Sequence, residues 1–146
     1  MTAQDNATLV RTLIEVYNAH ESDSAWLEKA SAFLADDCEV IDVPSGWTAG
    51  GPSHYKQLLL FFADAFPSSR VEVTTVVATE QEAVIEFVGR GTNTAPLHLP
   101  TGEVPATGRS VELRFCDTIQ IRKGKVVRVH IYYDVMTMLR QLGLAG

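Results

Sequence analysis

One aspartate stands out in a β-rich stretch near the C-terminal end. The odd positions of residues 111–121 are Val111, Leu113, Phe115, Asp117, Ile119 and Ile121. Strand side chains alternate between faces, so Asp117 sits in the middle of an otherwise apolar face. A carboxyl there is costly to ionise and tends to keep its proton. The following stretch, 125–133, forms a hairpin with it across Lys123-Gly124. If that turn has two residues, Arg122 faces Lys125, and counting back sets Asp117 opposite His130 and Phe115 opposite Tyr132. Directly opposed residues share a face. An aspartate beside a histidine on an apolar wall is a candidate acid/base pair. The alternatives are a structural hydrogen bond, or a pair that contacts a ligand without chemistry.

Further candidates are Tyr17, Asp42 and Trp47. Tyr17 lies on an apolar helical stripe, where a buried phenol needs a hydrogen-bond partner. Asp42 ends the strand-like run Val40-Ile41-Asp42-Val43-Pro44, either facing a cavity or capping a loop. Trp47 stands in the turn-rich segment that follows, as a lid or pocket wall. Cys116 points away from Asp117 and has no histidine on its face, so it is not a candidate nucleophile. The motifs of zinc proteases, serine hydrolases, nucleotide-phosphate loops and dinucleotide-binding folds do not occur. Cys38 and Cys116 form neither a disulfide framework nor a zinc-ligand spacing. No metal or cofactor is expected.

These residues must be positioned by a chain of 146 residues, expected to be one domain over 1–146. Its formal charge of −6 and scattered basic residues disfavour nucleic-acid binding. Apolar runs are too short to span a membrane, and no signal peptide is visible. A reducing, cytoplasmic setting is expected.

Apolar spacing predicts a helix over 6–21, a second from about residue 25 to Leu34, and a third from Pro52 to near Pro67, burying Tyr55, Leu58 and Phe62. A strand is expected at 38–43, with a loop from Pro44 to Gly51. Residues 71–78 and 82–92 read as a hairpin. Residues 93–108, with three prolines and two glycines, read as a long loop or broken strand. Asp134 should cap a last helix closed by Gly143. The class is α+β: a curved antiparallel sheet wrapping three helices, with an internal pocket.

The chain resembles the SnoaL-like polyketide cyclase and ester cyclase proteins of the NTF2-like superfamily. The resemblance is carried by Val16-Tyr17-Asn18-Ala19-His20, Phe33-Leu34-Ala35-Asp36-Asp37, the stretch from Gly89 to Thr94, Ala106 to Glu112, and Asp117 followed by Gly124-Lys125-Val126-Val127. It implies a cone fold, a homodimer and a cofactor-free reaction in which Asp117 is the acid/base residue of an intramolecular aldol closure. Likeness to ketosteroid isomerases, built on the same cone, implies roles for Tyr17, Asp42 and Asp117 together. Asn93 stands where many relatives have a histidine, and His130 where many have a tryptophan.

The resulting expectation is proton transfer on a flat, apolar, oxygenated carbonyl compound. Asp117 with His130 would move the proton, and Tyr17 or Asn93 would bind the developing enolate. Asp42 is the alternative base. Trp47, Phe62, Phe115 and Tyr132 would contact the substrate. A binding module without chemistry, or an epoxide hydrolase using Arg90, Arg114 or Arg128, are the competing readings. The other face of the last hairpin, expected to carry Cys116, Thr118, Val127, Val129, Ile131 and Tyr133, should pack against a second subunit.

Overall fold

The computed structural model describes residues 1–99 and 101–145; Pro100, within the expected long loop, and Gly146 lie outside the described residues. Helix α1 spans Ala3–Asn18. It starts earlier than its apolar stripe because Thr2 and Asp5 form a reciprocal cap, with N···O distances of 3.0 and 2.9 Å. Leu9, Val10, Leu13 and Tyr17 are its buried face. Two asparagines pin it to the sheet. Asn6 donates to the carbonyls of Thr79 and Glu80. Asn18 pairs with both backbone groups of Val71, as a neighbouring strand would.

Helix α2, Trp26–Ser31, is shorter than expected. Strand β1 begins at Leu34 and runs to Asp42, taking residues from the expected helix end. The cause is non-local: Leu34 pairs with Val126 far along the chain. The turn-rich segment after β1 contains a short strand, β2 (Trp47–Gly50), folded back antiparallel onto β1. Helix α3, Pro52–Ala65, follows. Strands β3 (Arg70–Ala78) and β4 (Glu82–Thr92) form the expected hairpin.

The long segment after β4 holds a small separate hairpin, β5 (Leu97–Leu99) and β6 (Gly102–Val104). Strands β7 (Ser110–Arg122) and β8 (Lys125–Tyr133) complete the main sheet. Helix α4, Val135–Gln141, is capped by the Asp134 side chain accepting from the Thr137 N–H.

The six-stranded sheet has the order β2-β1-β8-β7-β4-β3. Its one parallel pair, β1 with β8, corrects the expectation of a wholly antiparallel sheet. The concave face closes over α1 and α3. Between them lie Leu9, Val10, Leu13, Leu58, Ile85, Phe87, Val129 and Ile131. Among the described residues no helix is long and apolar enough to cross a membrane.

The last hairpin carries the decisive departure. Its turn is as expected: Lys123 and Gly124 have φ of 51° and 73°, and Arg122 faces Lys125. A bulge then follows, because Ile121 pairs with Val126 while Gln120 pairs with Arg128. Val127 is the extra residue. One inserted residue turns every later side chain of β8 to the other face. Asp117 therefore opposes Ile131, Phe115 opposes Tyr133, and His130 pairs with Thr118. The unbulged register would have set Arg128 against Ile119, a residue only 4% exposed. With the bulge, Val129, Ile131 and Tyr133 face inward, and Arg128, His130 and Tyr132 face outward.

Candidate active site

Asp117 reaches the interior because β7 is central, between β4 and β8. Its row across the sheet is Ile85, Asp117 and Ile131, and the residues before and after it on that face are Phe115 and Ile119. It borders a cavity of about 100 Å3 between the concave sheet and helices α1 and α3. Leu13, Tyr55, Leu58, Phe62 and Phe87 also form its wall. Asp117 keeps some surface open to this cavity, but Oδ1 is buried and has no hydrogen-bond partner among the described residues. Burial holds the carboxyl well above the usual carboxylate range, and the charge of Asp42 adds to the shift.

Asp42 is buried at the end of β1, opposite Trp47 on β2 and Ile131 on β8. Its Oδ2 accepts a hydrogen bond from the Tyr133 hydroxyl at 3.2 Å, and Oδ1 has no partner among the described residues. Burial raises its pKa too, while the Tyr133 bond acts in the opposite direction. Asp42 belongs to a second, open cavity of about 650 Å3, with Trp47, Phe61, Tyr133 and Met138 on its wall. Leu58 borders both spaces. Between them stand three rings: Phe62, Phe115 and Tyr133, with centroids 5.0–5.5 Å apart.

Two buried carboxyls whose charges oppose one another titrate as a pair. Burial raises both, Asp117 the further, and the charge of Asp42 adds to the shift of Asp117. Two carboxyls of different proton affinity, one on each side of a partition of aromatic rings, are groups able to remove a proton from carbon and hydrogen-bond the resulting oxyanion for a ligand that reaches past the rings.

Tyr55 on α3, expected only as a core residue, is the phenol on which the Asp117 charge acts. Burial pushes its hydroxyl pKa up, and the charge of Asp117 adds to it. A tyrosine on the apolar face of a helix that must pack near Asp117 was the available signal.

The remaining candidates separate. Phe62 and Phe115 border the inner cavity, and Trp47 the outer one, where its ring lies 5.5 Å from that of His54. His130 is removed from Asp117 by the bulge. On the convex face Nε2 accepts from Arg128 Nε at 2.8 Å, and the Glu39 carboxylate pairs with the same Arg128 at 3.1 Å. Tyr132 is 42% exposed on that same face, so it cannot touch a ligand in the cavity.

Asn93 is fully buried but spent on structure. Its Nδ2 donates to the carbonyls of Ala65 and Ala95, and its Oδ1 accepts from the backbone and hydroxyl of Thr107. It ties off the long loop and has no donor left for an enolate. Tyr17 borders the inner cavity, but its hydroxyl is paired with Ser69 at 2.7 Å, and the carboxylate acting on it is Asp64, not Asp117. Arg90 is tied between Glu72 and Glu112, and Arg114 and Arg128 lie on the outer face, so none of these three arginines joins the two aspartates. Among the described residues no group of three or more His, Cys, Asp or Glu side chains is gathered as a metal site.

A family described as SnoaL-like polyketide cyclase matches residues 7–142. No curated protein matches the chain at a significant level. Among solved structures, a protein from Jannaschia sp. CCS1, described provisionally as a SnoaL-like polyketide cyclase, superposes with a TM-score of 0.84. It is 16% identical, with 99% of this chain and 96% of that chain covered. IdmH from Streptomyces antibioticus, provisionally a polyketide cyclase, is 24% identical with a TM-score of 0.72, over 93% of this chain and 96% of its own. A hypothetical protein from Catenulispora acidiphila with a ketosteroid isomerase-like fold, solved with trimethylamine, is 17% identical with a TM-score of 0.68, covering 90% of this chain and 92% of that chain. At these identities the structures establish the fold: an NTF2-like α+β cone.

Proposed function

Since this chain belongs to the SnoaL-like polyketide cyclase family, we propose that it catalyses cofactor-independent proton transfer on an apolar carbonyl compound. The observation that carries this is the Asp117 carboxyl facing an apolar cavity, its Oδ1 without a partner among the described residues, with the Asp42 carboxyl acting on it. Asp42, as carboxylate, takes a proton from the carbon next to the carbonyl. Asp117, as carboxylic acid, donates a hydrogen bond to the carbonyl oxygen as it gains negative charge. In a cyclase the enolate carbon then attacks a second carbonyl of the same molecule. The C–C bond forms, the new alkoxide takes its proton from Asp117, and the proton held by Asp42 then passes to Asp117, restoring the starting state. In an isomerase the proton returns to a different carbon. A substrate that meets both carboxyls lies along the Phe62, Phe115 and Tyr133 rings.

The test needs no prior substrate. A panel of aryl and alkyl ketones is incubated with the protein in D2O, and exchange at the carbon next to the carbonyl is followed by NMR. Exchange accelerated by the wild type and not by Asp117→Asn is the expected result. Ketones that bind without accelerated exchange would make the chain a binding protein.

The same reading includes a homodimer through the convex face. The bulge removes Val129, Ile131 and Tyr133 from the face first assigned to that contact. What supports it now is a row crossing the strands: Val77, Val84, Thr118, His130 and Ile41, with Val77 60% exposed and Tyr132 nearby. Sedimentation at micromolar concentration should give twice the chain mass; a stable monomer there rejects the dimer.

A further inference from the structure

The inner cavity has a second polar end. Beyond Phe115 its wall continues along β7 through Leu113 to Val111, and along β4 through Gly89 to Gly91. Asp117 and Val111 are six residues apart on one strand, so the slot runs along on the order of 15–20 Å of sheet. At its far end stand Tyr17 and Ser69. Both are buried, at 8% and 7% exposure, and both border the cavity. Ser69 can lie this close to the sheet because residue 91 is glycine: a Cβ there would come within 2.9 Å of the Ser69 Cβ.

The two hydroxyls are 2.7 Å apart. Their mutual bond uses one O–H, whichever group donates it. The other O–H remains, along with unused lone pairs. A buried hydroxyl proton facing an otherwise apolar slot is a recognition point for an oxygen atom. The cations near it are engaged with other partners, including Arg90, which also borders the cavity. Both ring nitrogens of His20 are taken by backbone carbonyls, those of Tyr17 and Pro67, and Arg90 is tied to Glu72 and Glu112. The negative charge of Asp64 acts on Tyr17. The site therefore suits a neutral oxygen and disfavours a carboxylate.

We propose that Tyr17 and Ser69 form a distal specificity site, so that the ligand is an elongated apolar molecule with a neutral hydroxyl or carbonyl at the end remote from Asp117. The orientation, with the reacting carbonyl at Asp117, rests on the proposed function; the distal site itself does not.

The probes are straight-chain methyl ketones of increasing length, each ending in methyl, hydroxyl or carboxylate, titrated calorimetrically. At the length that fills the slot, the hydroxyl-ended ketone should bind about tenfold tighter than the methyl-ended one, the worth of one well-made buried hydrogen bond. Ser69→Ala should lower that ratio. Tyr17→Phe combined with Ser69→Ala, which leaves neither partner orphaned, should bring it close to one. Asp117→Asn should leave the ratio unchanged. An unaltered ratio in the double variant, no hydroxyl preference in the wild type, tightest binding of the carboxylate, or no ketone binding at all would each overturn the distal site. A ratio that behaves as expected, with Asp117→Asn retaining proton exchange, would overturn the catalytic reading and leave the distal site standing.

Discussion

Asp117→Asn should fold, melt at a higher temperature than the wild type at neutral pH, and lose on the order of a hundredfold or more of its catalysed proton exchange. The shape of the side chain is preserved; the ability to hold and release a proton is not. The stability gain follows from the raised pKa of Asp117. In the unfolded chain this carboxyl ionises near its ordinary value of about 3.9; in the fold it keeps its proton to higher pH. Between those two values the folded state holds more protons than the unfolded state, so stability falls as pH rises. The fall ends once pH passes the folded value. Asparagine has no such titration, so the advantage of the variant should grow with pH across that window and then level off. Thermal melts of both proteins over a pH series measure it. A variant that unfolds would make Asp117 a structural residue. One that folds and keeps full exchange would remove it from the reaction.

Asn93→Ala should do the reverse: a large loss of stability with chemistry intact in whatever protein remains folded. The substitution strips partners from the carbonyls of Ala65 and Ala95 and from the Thr107 N–H, in and around a buried site. Each orphaned buried group costs about 1–3 kcal/mol, so a total of about 3 kcal/mol or more is expected. In a domain of this size that lowers the melting temperature by roughly 10 °C. Exchange per folded molecule, measured well below the melting point, should stay near wild type. A stable Asn93→Ala protein without exchange would return Asn93 to the active site.

The difference between these two residues could not be read from their neighbours in sequence. Both are polar residues in apolar or turn-rich surroundings. Asp117 declared its face because it interrupts an alternation, and alternation is a property of the strand itself. Asn93 has partners 28 and 14 residues away, brought together only when the long loop folds over the end of α3. Tyr17 illustrates the same limit. Its place on a buried stripe was legible, but its partner, Ser69, lies 52 residues on and sets it at the far end of the slot from Asp117.

The sequence by itself determined the local pieces: the helix stripes, the Asp134 cap, the Lys123-Gly124 turn, and one carboxyl on the apolar face of β7. Each depends on a few adjacent residues with a fixed period or a required φ. Tertiary structure decided what faces that carboxyl. A turn sets register only until a bulge intervenes, and whether a bulge forms depends on which face of β8 the core accepts. Arg128 opposite buried Ile119 was the one sign that the simple register fails. Burying Val129 and Ile131 while leaving Arg128 and His130 in contact with Glu39 outside is the lower-energy arrangement. That single extra residue, Val127, turned His130 to the convex face and gave Asp117 the Asp42 carboxyl as its charged neighbour.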